Sequence, residues 1–352
     1  MPNDVNTAVV DSVTSHRLAV LRYEGGTVRR LLDVYDRALR DVLAELDAAR
    51  KALARGQEVD DRRRRRLELL ARDLRAEVRL LADAAAKTLD ERAREVGEAE
   101  RRFAGRLGRT VGVSWRDVPT AAVHAAVTSP IGGSLWRAQL ATDLVAVESA
   151  LQSAVGVALA RGLGMDRAAQ IVRQAGVAQT YRGRLVAIAR TEIQRVANAV
   201  ALDSYARNAD VISGVQVLAT LDSRTCAICG AQHDRVYPLV GGRPEGLSRP
   251  PPFHPRCRCF TAPVIKSWSD LGLGNTAANR RAYTGAPAEP PSFEAWLRGR
   301  PDSEADEVFG PTRAAAWRAG RLALADMVRG LTLLDLGELA DRYPSAVSTR
   351  AA

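Results

Sequence analysis

Five soft metal donors crowd into two short stretches of this chain, and no other feature limits its folding so sharply. Cys226-Ala-Ile-Cys229 sets two thiols on one tight turn. After 24 intervening residues, His254-Pro-Arg-Cys257-Arg-Cys259 adds an imidazole and two more thiols. A structural zinc ion takes a closed tetrahedron of Cys sulfur and His nitrogen, and two short chelating pairs separated by a loop are how small modules supply it. Such an ion also stabilises a unit too small to fold on apolar burial alone. With five donors for four positions, Cys226 and Cys229 form the first pair. His254 and Cys257 rank as the second, Cys259 is an alternative to either, and His233 is a weaker candidate. In an extended segment Cys257 and Cys259 point the same way, so the backbone must turn if only one of them ligates. Pro255 favours such a turn.

The segment Met1 to Val13 lacks a basic stretch followed by an apolar core, so no secretory signal is expected. In the reducing compartment that this implies, the four cysteines are expected as ligands rather than disulfides. No apolar run reaches the roughly 18 to 20 residues of a membrane span. The best stretch, Ala141 to Arg161, is interrupted by Asp143 and Glu148.

A catalytic zinc keeps one position for water and needs a nearby general base. Asp222, His233 and Asp234 are the available candidates. A thiolate-rich, closed shell argues against hydrolysis, and both cysteine pairs sit in metal-ligand spacing rather than beside a partnered base. The chain has no Gly-rich phosphate loop ending in Gly-Lys-Ser/Thr, no dinucleotide fingerprint and no His-Glu-x-x-His. His16 and His124 are isolated. No catalytic residue is assigned, and the protein is read as a non-enzyme.

The rest of the chain reads as mainly α. Aromatics are only 5 % of residues, and the apolar share is carried largely by Ala, Leu and Val, which suits helices. Leu31, Tyr35, Ala38, Val42, Leu46, Ala49 and Leu53 recur at helical spacing, predicting a helix of about 25 residues over 28–53. A polar break, Arg55 to Asp61, leads to a second amphipathic helix carrying Leu67 through Val96. The pair predicts a helical hairpin or coiled-coil arm. Arg62, Arg63, Arg64, Arg65 and Arg66 open that second helix, where positive charge opposes the helix dipole. Solvent with Asp60, Asp61 and Glu68, a DNA phosphate or a neighbouring subunit would each compensate them. The net charge of +10 suits an acidic partner, although only Lys51, Lys87 and Lys266 among the 51 basic residues are lysines, so a GC-rich genome explains the arginines equally well.

A Ser-Pro-Ile-Gly-Gly loop at 129–133 precedes a helical block over 135–209. In it Asp166 caps a short helix ending near Gly176, and a helix from about Tyr181 carries Arg190, Glu192 and Arg195, whose mutual pairing is expected. Alternation at Val215, Val217 and Ala219 and the segment Arg235-Val236-Tyr237 predict a small β-containing module. Residues 241–252, with four prolines and three glycines, read as an irregular surface loop. After Pro263 the chain is expected to turn helical again, with several short helices over 293–343. The predicted organisation is a helical arm (1–115), a helical block (116–212), a small zinc-stabilised α+β module (213–266) and a helical C-terminal extension (267–352).

Leu221-Asp-Ser-Arg-Thr-Cys226-Ala-Ile-Cys229 with His254-Pro-Arg-Cys257-Arg-Cys259 resembles the phage Mu F-like, or head morphogenesis, family of minor head (minor capsid) proteins. Upstream, Ala189-Arg-Thr-Glu192 with Asn198 and the loop at 129–133 are similar to that family's landmarks. Downstream, Phe293-Glu-Ala-Trp296-Leu297, Phe309-Gly-Pro-Thr-Arg313 and Trp317-Arg-Ala-Gly320 resemble a helical extension seen in relatives. The resemblance implies a low-copy phage head protein inside the procapsid and virion, near the portal, present in the host cytoplasm during assembly. Its implied partners are the portal protein, the major capsid or scaffold protein and packaged double-stranded DNA. A zinc-dependent nuclease or other DNA-processing enzyme, and a DNA-binding zinc module, are the alternatives.

Overall fold

A computed structural model describes residues 5–54, 60–128, 177–272 and 291–346, with isolated positions between 136 and 153; for most of 38–81 only the backbone is described. The chain is mainly helical, and the described residues include a small four-stranded antiparallel sheet and a two-stranded hairpin. The Ser-Pro-Ile-Gly-Gly loop, the Asp166 cap, the helix end at Gly176 and the side chains of Arg62 to Arg66 lie outside the described residues. No helix among the described residues is long and apolar enough to cross a membrane.

Helix α1 (Val5–Ala54) is twice the length that the periodicity predicts, and α2 (Asp60–Val111) extends beyond its expected end. The buried face of α1 starts at Val9, Val13 and Val20 and continues through Val28, Leu31 and Tyr35. Arg17, Glu24 and Thr27 are buried on the same helix, and Gly25-Gly26 lies within it, so the apolar pattern is broken where the helix is not. A short α3 (Thr120–Thr128) and the long α4 (Val177–Arg207) complete the main helices.

Two compact units result: Met1–Val20, Gly97–Val123 and Gln194–Ala352 form one, Leu21–Val96 and His124–Ile193 the other. In the second unit Tyr23 of α1 hydrogen-bonds Glu95 of α2, and Arg92 donates to its hydroxyl at 3.1 Å. Burial and the Glu95 contact push the Tyr23 phenol up to about 12, so it stays a donor. Arg190 of α4 pairs with the buried Glu24 at 3.4 Å. The pairing expected along α4 alone is therefore, for Arg190, an interhelical one.

In the first unit, strand β1 (Ile212–Leu218) is central to a sheet ordered β3-β2-β1-β4. β2 (Val236–Val240) and β4 (Phe260–Ile265) flank β1, and the two-residue β3 (Arg243–Pro244) pairs with β2 inside the expected irregular loop. Val215 and Val217 are fully buried and so is Gln216 between them, because both faces of β1 are covered; alternation alone understates the strand. β4 lies within the expected β-containing module, 213–266, although no strand is read there from the sequence, and it runs two residues past Pro263, after which a return to helix is expected. Pro263 argues against a strand in sequence, yet it is tolerated because β4 is an edge, facing Val215 of β1 on one side only. Val9, Val13, Phe103, Leu107, Tyr205 and Phe260 belong to one core with β1.

The C-terminal extension is a run of short helices as expected: α6 (Phe293–Arg298), α7 (Asp302–Phe309), α8 (Pro311–Arg318), α9 (Leu324–Met327) and α10 (Leu336–Arg342). A two-residue hairpin, β5 (Val328–Arg329) and β6 (Thr332–Leu333), was not anticipated. Gly310, at φ +79°, makes the break between α7 and α8. Around Phe309 and Trp317 these helices build their own core, which also takes in Ala227 and Ala231 of α5 (Ala227–Gln232), the short helix that carries Cys229.

Gly230 of α5 is where that contact is tightest, since a Cβ there would lie 2.3 Å from Cδ1 of Phe293. Gly230→Ala gains about 0.8–1 kcal/mol of helix propensity but overpacks a filled site at a cost of about 1–3 kcal/mol. The expected outcome is net destabilisation, read as a lower urea midpoint; a higher midpoint would show that Phe293 is free to move.

Candidate metal centre

Cys226 and Cys229 are presented by the first turn of α5 rather than by an isolated tight turn. Cys226 is the N-cap, in extended conformation, and its Sγ accepts from the Cys229 amide at 3.5 Å. The approach to it is locked locally. Asp222 takes the Arg224 amide at 2.9 Å, the Asp222 amide donates to Thr225 Oγ1 at 3.1 Å, and Thr225 Oγ1 donates to the Thr220 carbonyl.

The second stretch does turn. The Cys257 amide donates to the His254 carbonyl at 3.1 Å, and Arg256 sits at φ +63°, a left-handed conformation uncommon for a non-glycine residue. His254 donates from Nδ1 to the Pro255 carbonyl at 2.8 Å, so that in the neutral ring Nε2 is the nitrogen left to bind a metal ion. That nitrogen lies 3.2 Å from Cys226 Sγ and 3.0 Å from Cys229 Sγ. Cys229 and Cys257 sulfurs are 3.7 Å apart.

The donors form two triads, Cys226–Cys229–His254 and Cys229–Cys257–Cys259, each with its atoms within 4.8 Å of one another and with Cys229 common to both. These separations approach the edge of a zinc tetrahedron, about 3.8 Å between sulfurs for zinc–sulfur bonds of about 2.3 Å. The residues present therefore fit a thiolate-bound cation, and the cluster can hold a metal ion. All four cysteines are free thiols. Hydrogen bonding from Cys229, with His254 beside it, lowers the Cys226 thiol to about 4, and the Cys226 contact raises His254 to about 9. Hydrogen bonds from Cys229 and Cys259 hold Cys257 well down, whereas those from its three thiol neighbours push Cys229 up. In the ion-free cluster thiolate charge at Cys226 and Cys257 thus sits beside a protonated His254, and a bound cation would take the place of that proton.

None of the three expected base candidates is free to serve. His233 accepts the Ala219 amide on Nδ1 at 3.0 Å, so its Nε2 donates to the Pro291 carbonyl at 3.1 Å. Burial lowers its pKa, which keeps it neutral with both nitrogens engaged. It is not among the residues gathered at the cluster. Asp234 accepts from Gln216 Nε2 at 2.6 Å. Asp222 forms a two-point ion pair with Arg258, whose Nη2 reaches Oδ1 at 2.5 Å. This pair was not anticipated. Arg258 stands in sequence as a spacer between Cys257 and Cys259, and in the structure its side chain is largely buried, at 11 % exposure. The pair clips the Cys226 loop to the Cys257–Cys259 segment independently of any ion.

Burial raises the Asp222 carboxyl, but the bonds from Arg258 and Arg224 outweigh it and hold the group at about 2. A depressed carboxylate stabilises the fold above its unfolded value of about 3.9 and ceases to do so as pH falls through about 2. Asp222 is about a third exposed, so screening reduces the effect to about 1 kcal/mol. Asp222→Asn is expected to lower the unfolding free energy by that amount at pH 7, with the gap from wild type closing between about pH 4 and pH 2. Urea unfolding across that range checks it, and a gap that persists at pH 2 contradicts the pairing.

No curated protein and no solved structure matches the chain. A family model does match, over residues 149–262, about a third of the chain and the part that contains Cys226, Cys229, His254, Cys257 and Cys259. It is the model described as Phage Mu protein F like protein, so over this segment the chain is similar to that family, and the match supports a phage head morphogenesis protein.

Proposed function

We propose that this protein is an internal, portal-associated assembly factor of a tailed-phage head, and that four of its five soft donors hold one structural zinc ion. The observation that carries the reading is the family match over the segment that contains the donor cluster. Thiolate and imidazole donors suit zinc and not magnesium or calcium, which take oxygen. Cys229 belongs to the ligand set in either triad; His254 and Cys257 complete it with Cys226, and Cys259 is the alternative.

The bound ion would act as a cross-link between α5 and the 254–259 segment. A structural role is favoured over hydrolysis because Asp222, His233 and Asp234 are each engaged in contacts of their own. The portal protein and the major capsid or scaffold protein are the proposed partners. Packaged DNA is a further one, suited to the net charge of +10.

Quantitative mass spectrometry of gradient-purified virions and procapsids, with the portal protein as internal copy-number standard, tests this. A few copies per portal ring are expected. Absence from both particles would overturn the assignment and direct attention to zinc-dependent action of the free protein on DNA.

A further inference from the structure

We propose that Arg17 and Asn198 are positioning residues for the metal centre, acting through the backbone of Cys259. The inference rests on the reading of the Cys/His cluster as a metal site. Asn198 lies on α4 and is fully buried. Its Nδ2 donates to the carbonyl of Cys259 at 3.1 Å and to that of Gln194 at 2.9 Å, while its Oδ1 accepts from Arg17 Nη2 at 2.9 Å. A guanidinium only donates, so Arg17 dictates which way the Asn198 amide faces, and thereby aims its NH2 group at the two carbonyls.

Arg17, on α1, is 2 % exposed, and Nη2 is its one guanidinium nitrogen for which a hydrogen bond is found among the described residues. Its charge faces Glu100 of α2 at 4.0 Å, and Glu100 in turn accepts from His16 at 2.9 Å. Burial raises the Glu100 carboxyl, but Arg17 and His16 outweigh that and hold it ionised, so the buried cation is compensated. The Arg17 guanidinium also lies 5.8 Å from the ring centroid of Phe260, the residue that follows Cys259.

Arg17 therefore bears on the Cys259–Phe260 segment, whose Cys259 lies 242 residues on in sequence, by two routes: through Asn198 to the Cys259 carbonyl, and directly on the Phe260 ring. The segment needs such support. β4 is an edge strand, so the carbonyl at its entry has no neighbouring strand on its outer side, and without the Asn198 amide it would be buried without its donor. Cys259 Sγ lies within 4.8 Å of both Cys229 and Cys257, so a shift of this backbone moves the sulfur side of the cluster directly. A helix that the sequence reads as a separate arm is in this way part of the metal module. Groups that orient metal ligands from outside commonly change metal affinity by about 10- to 100-fold when removed.

The test uses the full-length protein loaded with zinc and reads release to a competing chelator, alongside the Co2+–thiolate absorption spectrum and far-UV circular dichroism. Asn198→Ala and Arg17→Met are expected to speed release by about 10- to 100-fold. The double variant should be no faster than the quicker single one, because both act through one path. Arg17→Lys, which keeps a cationic donor for Oδ1, should restore much of the wild-type rate. Asn6→Ala serves as control: Asn6 bonds the Ile265 carbonyl at 3.2 Å and amide at 2.7 Å, so its loss loosens the far end of β4 without touching the Cys259 end. Its release rate should stay within about two-fold of wild type, as expected for an uncoupled site. Equal acceleration by Asn6→Ala would reduce the effect to general loosening and overturn the proposal, as would wild-type release from both Asn198→Ala and Arg17→Met. Should Asn198→Ala fail to fold, the contrast between Arg17→Met and Arg17→Lys decides. Wild-type protein that takes up no zinc at all would instead remove the metal reading itself.

Discussion

The thiol–imidazole cluster closes a length of chain that has little else to hold it. Between Cys229 and His254 the backbone leaves α5, forms the β2–β3 hairpin and returns, and few side chains along the way are buried. Val236 and Val240 of β2 are 38 % and 55 % exposed. What is buried lies at the ends, where Val217, Ala219 and Phe253 pack with Cys229, Cys257 and Cys259. Apolar burial of this extent offsets only part of the entropy of ordering the hairpin, at about 1–2 kcal/mol per residue for the backbone alone. The proposed metal cross-link at the base would supply what the core lacks, and the Asp222–Arg258 pair spans the same gap without an ion.

Within each of the two units the structure uses a buried polar side chain to join elements distant in sequence. Asn208, at the end of α4, accepts the Arg116 amide at 2.7 Å and donates to the Arg116 carbonyl at 3.0 Å, fixing the segment that follows α2. Asn6 does the same for Ile265 of β4, and Glu24 for Arg190. Each side chain is matched to specific backbone or charged groups, so removing it takes a hydrogen bond or ion pair from its partner. Helices rich in Ala and Val can slide past one another at little cost; these contacts give them a register.

That division explains what the sequence disclosed. The five donors were legible because metal chemistry demands few residue types at short, fixed spacing. The mainly helical character, the amphipathic part of α2 and the short C-terminal helices were legible from period, and the break at Gly310 from the dipeptide Gly-Pro. The first half of α1 was not, because Arg17 and Glu24 occupy its buried face and read as surface charges until their partners are known. β4 falls within the expected β module but was not read as a strand, and Pro263, which a central strand would not admit, is accommodated because β4 is an edge. Arg258 and Asp222 carried a signal only in space: one looked like a spacer, the other like a free base, and neither identity nor spacing shows that two loops bring them together.

X-ray absorption at the zinc K-edge of the purified full-length protein tests the central claim most directly. A closed shell of sulfur at about 2.3 Å with one nitrogen at about 2.0–2.1 Å, four donors and no water, is the result this account predicts. An open shell with a coordinated oxygen, or a folded protein without bound zinc, would contradict it.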